Sequence, residues 1–435
     1  MERLIETALM PGRFISYNAG FSFVRDLEAV EERLSKCLSA NPAQAVGLYE
    51  TLLAGCYEKA GEIDDSSGTF GDFVGHLHCA WINARQVGGA DADETAMRVL
   101  AWMDADPYGF CHTLERDAAK VLNKVGLAAL IKHVRERFDM AGTTKGSSGG
   151  SSPRDAAYAR RRWGDALRAF YLAQKNVEAY LALTQETGLT VADCHALATM
   201  LVARRKTGDA LTWVERGVGL AKQAPNSSIA GYELSKVKRV LLAKLGRSSE
   251  ALRDAWAAYR EHSDKYTYAD LMKHVPKAER AAWHAKAMEA TTGSGLDSLI
   301  ELFLGTKELE RLADLLRRSG NDALESLSHF TTEPAAKRLE KTDPDVAARL
   351  WCAQGMRIID AKKSKYYDAA LSNFERARRC FERAGLAGEW QRIAQKVRLD
   401  HHRKGGFMAG FEEIIAGSGP SRRPSFLQRA KARWT

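Results

Sequence analysis

The spacing of apolar residues along this chain is helical almost throughout. Val46, Tyr49, Leu53, Cys56 and Tyr57 recur at a period of about 3.6 residues. Ahead of residue 143 the pattern predicts six or seven helices. One spans residues 24–38, after an aromatic entry of Phe14, Tyr17, Phe21 and Phe23. A second spans 43–60 behind Pro42, a residue suited to a helix's first turn. A third spans 70–87 and follows Asp64-Asp65-Ser66-Ser67-Gly68, whose side chains are helix-capping types. A fourth, 93–103, stops at Asp106-Pro107-Tyr108-Gly109, and two more run to Phe138. Period-two runs of β-branched residues are nearly absent, so the expected fold class is all-α.

The helical pattern breaks most clearly at Gly146-Ser147-Ser148-Gly149-Gly150-Ser151-Ser152, between Thr143-Thr144-Lys145 and Pro153. Such a run has nothing to bury and reads as a flexible tether, either natural low complexity or an engineered linker. It divides an N-terminal helical domain (1–142) from the remainder, with 143–154 as linker. Beyond it a short pattern repeats. Gly164-Asp165-Ala166-Leu167 returns as Gly208-Asp209-Ala210-Leu211, and more weakly as Ser249-Glu250-Ala251-Leu252, Asn321-Asp322-Ala323-Leu324 and Asp368-Ala369-Ala370-Leu371. The steps from Ala166 to Ala210 and on to Ala251 are 44 and 41 residues, and the next, to Ala323, is 72. Periods of this size point to an α-solenoid, because one helical hairpin cannot bury its apolar face alone. A repeat domain is therefore expected over 155–417, then a basic tail with a short helix over 418–435.

The stretch Leu245-Gly246-Arg247-Ser248-Ser249-Glu250-Ala251-Leu252-Arg253-Asp254-Ala255-Trp256-Ala257-Ala258-Tyr259 resembles the second half of a tetratricopeptide repeat. Ala251 and Ala255 stand where those repeats let neighbouring helices approach closely. Tyr367-Asp368-Ala369-Ala370-Leu371-Ser372-Asn373-Phe374-Glu375-Arg376-Ala377 is similar. The periods exceed the usual tetratricopeptide length, so the resemblance implies divergent hairpin repeats. Residues from Tyr366 through Trp390 to His401-His402-Arg403-Lys404 also resemble the helical tail of bacterial SWIM zinc-finger proteins. The whole chain resembles an uncharacterised bacterial family related to those tails. The finger itself needs Cys-x-Cys and Cys-x-His, and neither spacing occurs here, so its zinc and DNA roles do not carry over.

Composition changes this picture little. Hydrophobic residues make up 45% and charged residues 27% of the 435, ordinary values for a folded chain. No stretch approaches the ~20 apolar residues of a membrane span. The start, Met1-Glu2-Arg3-Leu4-Ile5-Glu6, lacks the basic end of a signal peptide, so a cytoplasmic protein without membrane association is expected. Seven scattered cysteines read as free, mostly buried thiols. Charge adds more. The net +9 splits into −7 over residues 1–142 (14 Lys and Arg, 21 Asp and Glu) and +16 over the rest. An acidic front half and a basic back half would steer an anionic partner, or attract each other.

Reactive motifs are weak. Gly146–Gly150 fits Gly-x-Ser-x-Gly, but no strand precedes it, and Ser235-Lys236-Val237-Lys238 fits Ser-x-x-Lys without companion motifs. Walker A, Gly-x-Gly-x-x-Gly and His-Glu-x-x-His patterns are absent, and no cofactor is expected. The best metal candidate is Glu58 and Glu62 on one predicted helix facing Asp72 and His76 on the next. Candidates for a nucleic acid or other anionic partner are Arg160, Arg161 and Arg162; Arg204, Arg205 and Lys206; Lys362, Lys363 and Lys365; Arg378 and Arg379; Arg403 and Lys404. The leading expectation is a non-catalytic repeat scaffold that binds a protein partner. A nucleic-acid-binding accessory protein and a metal-dependent enzyme are the alternatives.

Overall fold

Capping side chains fix where many of the helices begin. Asn41 accepts from the Gln44 amide at 3.2 Å with Pro42 in the first turn, and Asp91 accepts from the Glu94 amide at 2.8 Å. Thr190 and Asp193 close a reciprocal capping box. The computed structural model describes residues 1–10, 12, 14–143, 153–223, 228–291, 294–361 and 364–417. The expected tail helix and the whole Gly/Ser run lie outside the described residues. All regular elements among the described residues are helices, and the one strand-like feature is a parallel bridge between Ile15 and Ile63.

The first compact unit runs from Met1 to Leu241. It holds α1 (Glu2–Leu9), α2 (Tyr17–Cys37), α3 (Pro42–Lys59), α4 (Thr69–Val87), α5 (Ala92–Asp104), α6 (Leu114–Val121), α7 (Lys124–Thr143), α8 (Pro153–Ala173), α9 (Val177–Thr187), α10 (Val191–Ala203), α11 (Thr207–Gln223) and most of α12 (Ser228–Lys244). The second, from Leu242 on, holds α13 (Ser248–Glu261), α14 (Lys265–His274), α15 (Arg280–Glu289), α16 (Leu296–Thr306), α17 (Leu309–Arg318), α18 (Asn321–Ser326), α19 (His329–Leu339), α20 (Pro344–Asp360), α21 (Tyr367–Arg383), α22 (Ala387–His401) and α23 (Gly405–Ile415). Within each unit neighbours in sequence pack in series, α3 on α4, α7 on α8 and α10 on α11, then α13 on α14, α16 on α17 and α20 on α21. This is a solenoid-like arrangement. The helices on either side of the Gly/Ser run pack on each other inside the first unit.

Two helices differ from the sequence expectation. α1 forms because Ile5 and Leu9 have a site to fill, Leu9 seating against Gly55 of α3. α2 starts at Tyr17 rather than residue 24, so the aromatic entry past Phe14 is helical, with Phe23 buried and Tyr17 and Phe21 outside. Of the repeat copies, those at Gly208, Ser249, Asn321 and Asp368 open helices, whereas the Gly164 copy sits inside α8. Ala166, Ala210, Ala251 and Ala370 are all buried, which keeps the partner helix close.

α20 is the pivot of the second unit's core. Its residues from Val346 to Met356 are buried on nearly every face except Arg349. Gly355 lies under Phe374 of α21, where a Cβ would come within 2.7 Å of the ring. In the first unit Asp193 is wholly buried yet fully bonded: it accepts from Arg168 at 2.8 Å, Tyr180 at 2.9 Å and the Thr190 amide at 2.9 Å. Burial alone would raise its pKa, but the bonds from Thr190 and Arg168 outweigh it and hold the carboxyl below its ordinary range.

Candidate functional site

The acid and histidine residues proposed from sequence do not assemble. Glu58 is exposed on α3, and Glu62, just past it, pairs with Lys59 at 2.5 Å. Asp72 is exposed on α4, and His76 faces Glu31 at 3.9 Å. Among the described residues no group of three or more His, Cys, Asp or Glu side chains is placed to hold a metal ion. The reason is the helical period. α4 buries Phe70, Val74, Leu77 and Trp81, and Asp72 and His76 stand on the opposite side of that stripe. Asp64 and Asp65 cap the loop instead, Asp65 accepting from the Phe70 and Gly71 amides at 2.9 and 2.8 Å.

The basic residues have a pattern of their own. Many donate to carbonyls at the carboxy-terminal ends of helices. Arg162 bonds the Met103 carbonyl in α5, Arg357 bonds Leu327 just past α18, and Lys404 bonds Ile359 in α20. Arg204 reaches the Lys175 carbonyl at 2.6 Å, Arg311 that of Met288 at 3.3 Å, and Arg383 that of Glu340 at 2.6 Å. Arg349 serves three at once, Leu316, Arg317 and Ser319, at 2.8, 3.1 and 2.5 Å. The last carbonyls of a helix lack intrahelical donors and carry its negative dipole end, so a guanidinium there satisfies both needs.

Other basic candidates are held by acids or rings. Arg378 pairs with Glu382 at 2.5 Å, Arg379 with Glu375, and Arg160 lies 4.2 Å over Phe138. Arg161 lies near the Tyr158 ring and Lys365 near Tyr366, while Arg205, Lys206 and Arg403 are exposed. Lys362 and Lys363 lie outside the described residues.

A concavity with a mostly apolar lining lies between α1 and α2. It encloses about 500 Å³, lined by Leu4, Ala8, Phe14, Ala19, Phe23 and Val30, with Asp26 and Arg33 along α2. The chain entering α2 is pinned there: the Ile15 amide donates to Glu62 at 2.8 Å, and the Asp64 amide donates back to Ile15 at 2.9 Å. That clamp places Phe14 at the groove with 63% of its surface in water. On the other flank of α2's buried stripe, Tyr17 and Phe21 form an exposed edge-to-face pair at 5.5 Å. Sequence inspection finds these aromatics but not the groove, because α1 is needed to make its second wall.

One polar constellation is invisible in sequence. The Tyr268 hydroxyl on α14 lies 2.8 Å from His284 Nδ1 on α15, and His284 Nε2 lies 2.8 Å from Glu308, the residue just before α17. The carboxylate can only accept, so Nε2 carries a proton and donates to it. The three residues tie three helices together, and no spacing rule connects positions on separate helices. Beside them Lys286 lies 4.6 and 4.3 Å from the Trp256 and Trp283 rings. The seven cysteines are unpaired. Burial raises the Cys56 thiol to about 12 and those of Cys79 and Cys111 to about 11, which makes them poor nucleophiles.

A family model described as a family of unknown function (DUF6880) matches residues 9–409, and the chain belongs to that family. No curated protein matches the chain. No helix among the described residues is long and apolar enough to cross a membrane.

Proposed function

We propose that this member of a family of unknown function is a non-catalytic scaffold that binds a protein segment in the α1–α2 groove, and that it works in a bacterial cytoplasm. The observation that carries the reading is the groove with Phe14 held half out of it. A large apolar side chain kept in water by a backbone clamp is a site waiting for cover, since burying such a ring is worth about 1.5–3 kcal/mol. The groove between two helices suits a helical segment whose aliphatic or aromatic residue enters beside Phe14. The resemblance of α13 and α21 to tetratricopeptide helices, and of the C-terminal part to the tails of SWIM proteins, belongs to the same proposal. Support for preferring it over nucleic-acid binding comes from the arginines already committed to helix ends, which have fewer donors left for phosphates.

The test compares Phe14→Asp and a Tyr17→Asp, Phe21→Asp double variant with the wild type in the native host, by quantitative cross-linking after nuclease treatment. All three positions are exposed, so folding should be kept. The expected outcome is a partner cross-linked to α1 or α2 whose yield falls about tenfold or more in Phe14→Asp. An unchanged set of cross-links would overturn the reading.

A further inference from the structure

A second concavity, of about 450 Å³, opens in the first unit between the end of α5, the start of α6 and α8. It takes in Arg161 and Arg162, which the scaffold reading leaves unused. Most charged groups around it are already satisfied. Asp104 pairs with Arg137, Asp165 pairs with Arg168 at 3.2 Å, and Arg162 donates to the Met103 carbonyl. Asp106 accepts from the amides of Phe110 and Cys111 at 2.9 and 2.7 Å.

Among the described residues three groups of the lining are less fully engaged, Arg161 and His112 exposed and Glu115 half-buried, and their chemistry is complementary. Arg161 stands 5.6 Å from the Tyr158 ring and has guanidinium donors to give. Among the described residues the ion pair of Glu115 is with Arg116, at 3.8 Å. The third is His112. Its Nδ1 lies 3.1 Å from the Gly109 carbonyl, which can only accept, so the proton is assigned to Nδ1 and Nε2 presents a lone pair. The α8 wall thus offers donors that need an anion. The wall at α6 offers two acceptors that need a multiple donor.

We propose that this cleft binds a small zwitterion of the α-amino acid type, its carboxylate on Arg161 and its ammonium between Glu115 and His112 Nε2. A phosphate would meet Glu115 and Asp106 as like charges, and a simple amine would leave Arg161 without an acceptor. Met103, Cys111 and Ala166 supply the less polar part of the lining for a side chain. The volume falls in the range of small-molecule sites, about 300–1,000 Å³. The site is independent of the α1–α2 groove, so either proposal stands if the other fails.

Calorimetric titration of the full-length protein with each of the standard L-amino acids tests it, followed by the N-acetyl and carboxamide derivatives of whichever binds. Saturable binding is expected for at least one amino acid, with a loss of about tenfold or more for each derivative. Arg161→Gln should abolish the preference for the free acid over the carboxamide and keep the preference over the N-acetyl form. Glu115→Gln should do the reverse. Absence of any amino-acid binding, derivatives that bind as well as the parent, or variants that leave both preferences intact would each overturn the proposal. If a variant fails to fold, the derivative series on the wild type decides alone.

Discussion

His78 occupies the inner stripe of α4 with no exposed surface, and neither ring nitrogen meets a hydrogen-bond partner among the described residues. Its neighbours are rings, Trp102 at 4.7 Å and Tyr57 at 6.2 Å. Burial disfavours the imidazolium and lowers the pKa from 6.5 to about 4, against a smaller opposing pull from Asp106. In the unfolded chain the same ring takes its proton near pH 6.5. Between pH 6.5 and about 4 the unfolded state therefore binds more protons, and stability falls as the pH falls through that window. Above pH 6.5 the contribution is complete, about 3 kcal/mol for a shift of this size. Urea unfolding of the wild type and His78→Leu across the window should show the wild type losing more stability toward acid. Parallel curves would show that His78 takes up its proton in the folded protein as readily as in the unfolded chain. At this scale the sequence was legible in part. The spacing of Val74, Leu77 and Trp81 already puts His78 inside and Asp72 and His76 outside. What spacing does not convey is whether a buried ring finds a partner, because that depends on residues from other helices.

Helices themselves were the most legible level, since an apolar stripe of 3.6 period and a capping residue act over a few positions. α3, α4 and α5 begin and end within one or two residues of where their stripes and caps put them. α1 was not legible: an eight-residue segment with two core residues is stable only against the α2 and α3 surfaces it covers. Nor was the use of arginine. The guanidinium of Arg349 serves carbonyls some 30 residues earlier, and in sequence it is one more charge on a helix. Because it closes the end of α17 with several bonds, Arg349→Gln should cost about 2 kcal/mol. Arg349→Lys should recover only part of this, as an ammonium cannot span carbonyls that the planar fork reaches together. Denaturant midpoints give the sizes, and hydrogen exchange should accelerate first in the last turn of α17. Equal stability of all three proteins would mean that these carbonyls are as well served by water.

For the whole molecule, the charge asymmetry and the Gly/Ser run are the features that sequence makes most conspicuous, and both take a different meaning from the packing. The excess of Lys and Arg past residue 142 reads as a surface for an anion, yet a stack of short helices creates many carbonyl ends, and several of these cations lie on them. The Gly/Ser run reads as a boundary, yet the first compact unit continues through it to Leu241. Across the run Arg160 covers Phe138 at 4.2 Å, Arg137 covers Trp163 at 5.1 Å, and Arg135 bonds Glu186 at 2.7 Å. These contacts should outlast the covalent connection. With a protease site placed between residues 146 and 152, cleavage should leave two pieces that co-elute in gel filtration and part only in denaturant. α7 and α8 pack on each other and both bury apolar residues, Leu130, Val134 and Phe138 on α7 and Trp163, Leu167 and Phe170 on α8, so the pieces should stay together at high salt as well. Separation in salt alone would assign the association to the Arg135–Glu186 ion pair. Separation under native low-salt conditions would mean that the two segments are independent domains, as the composition of the run implies.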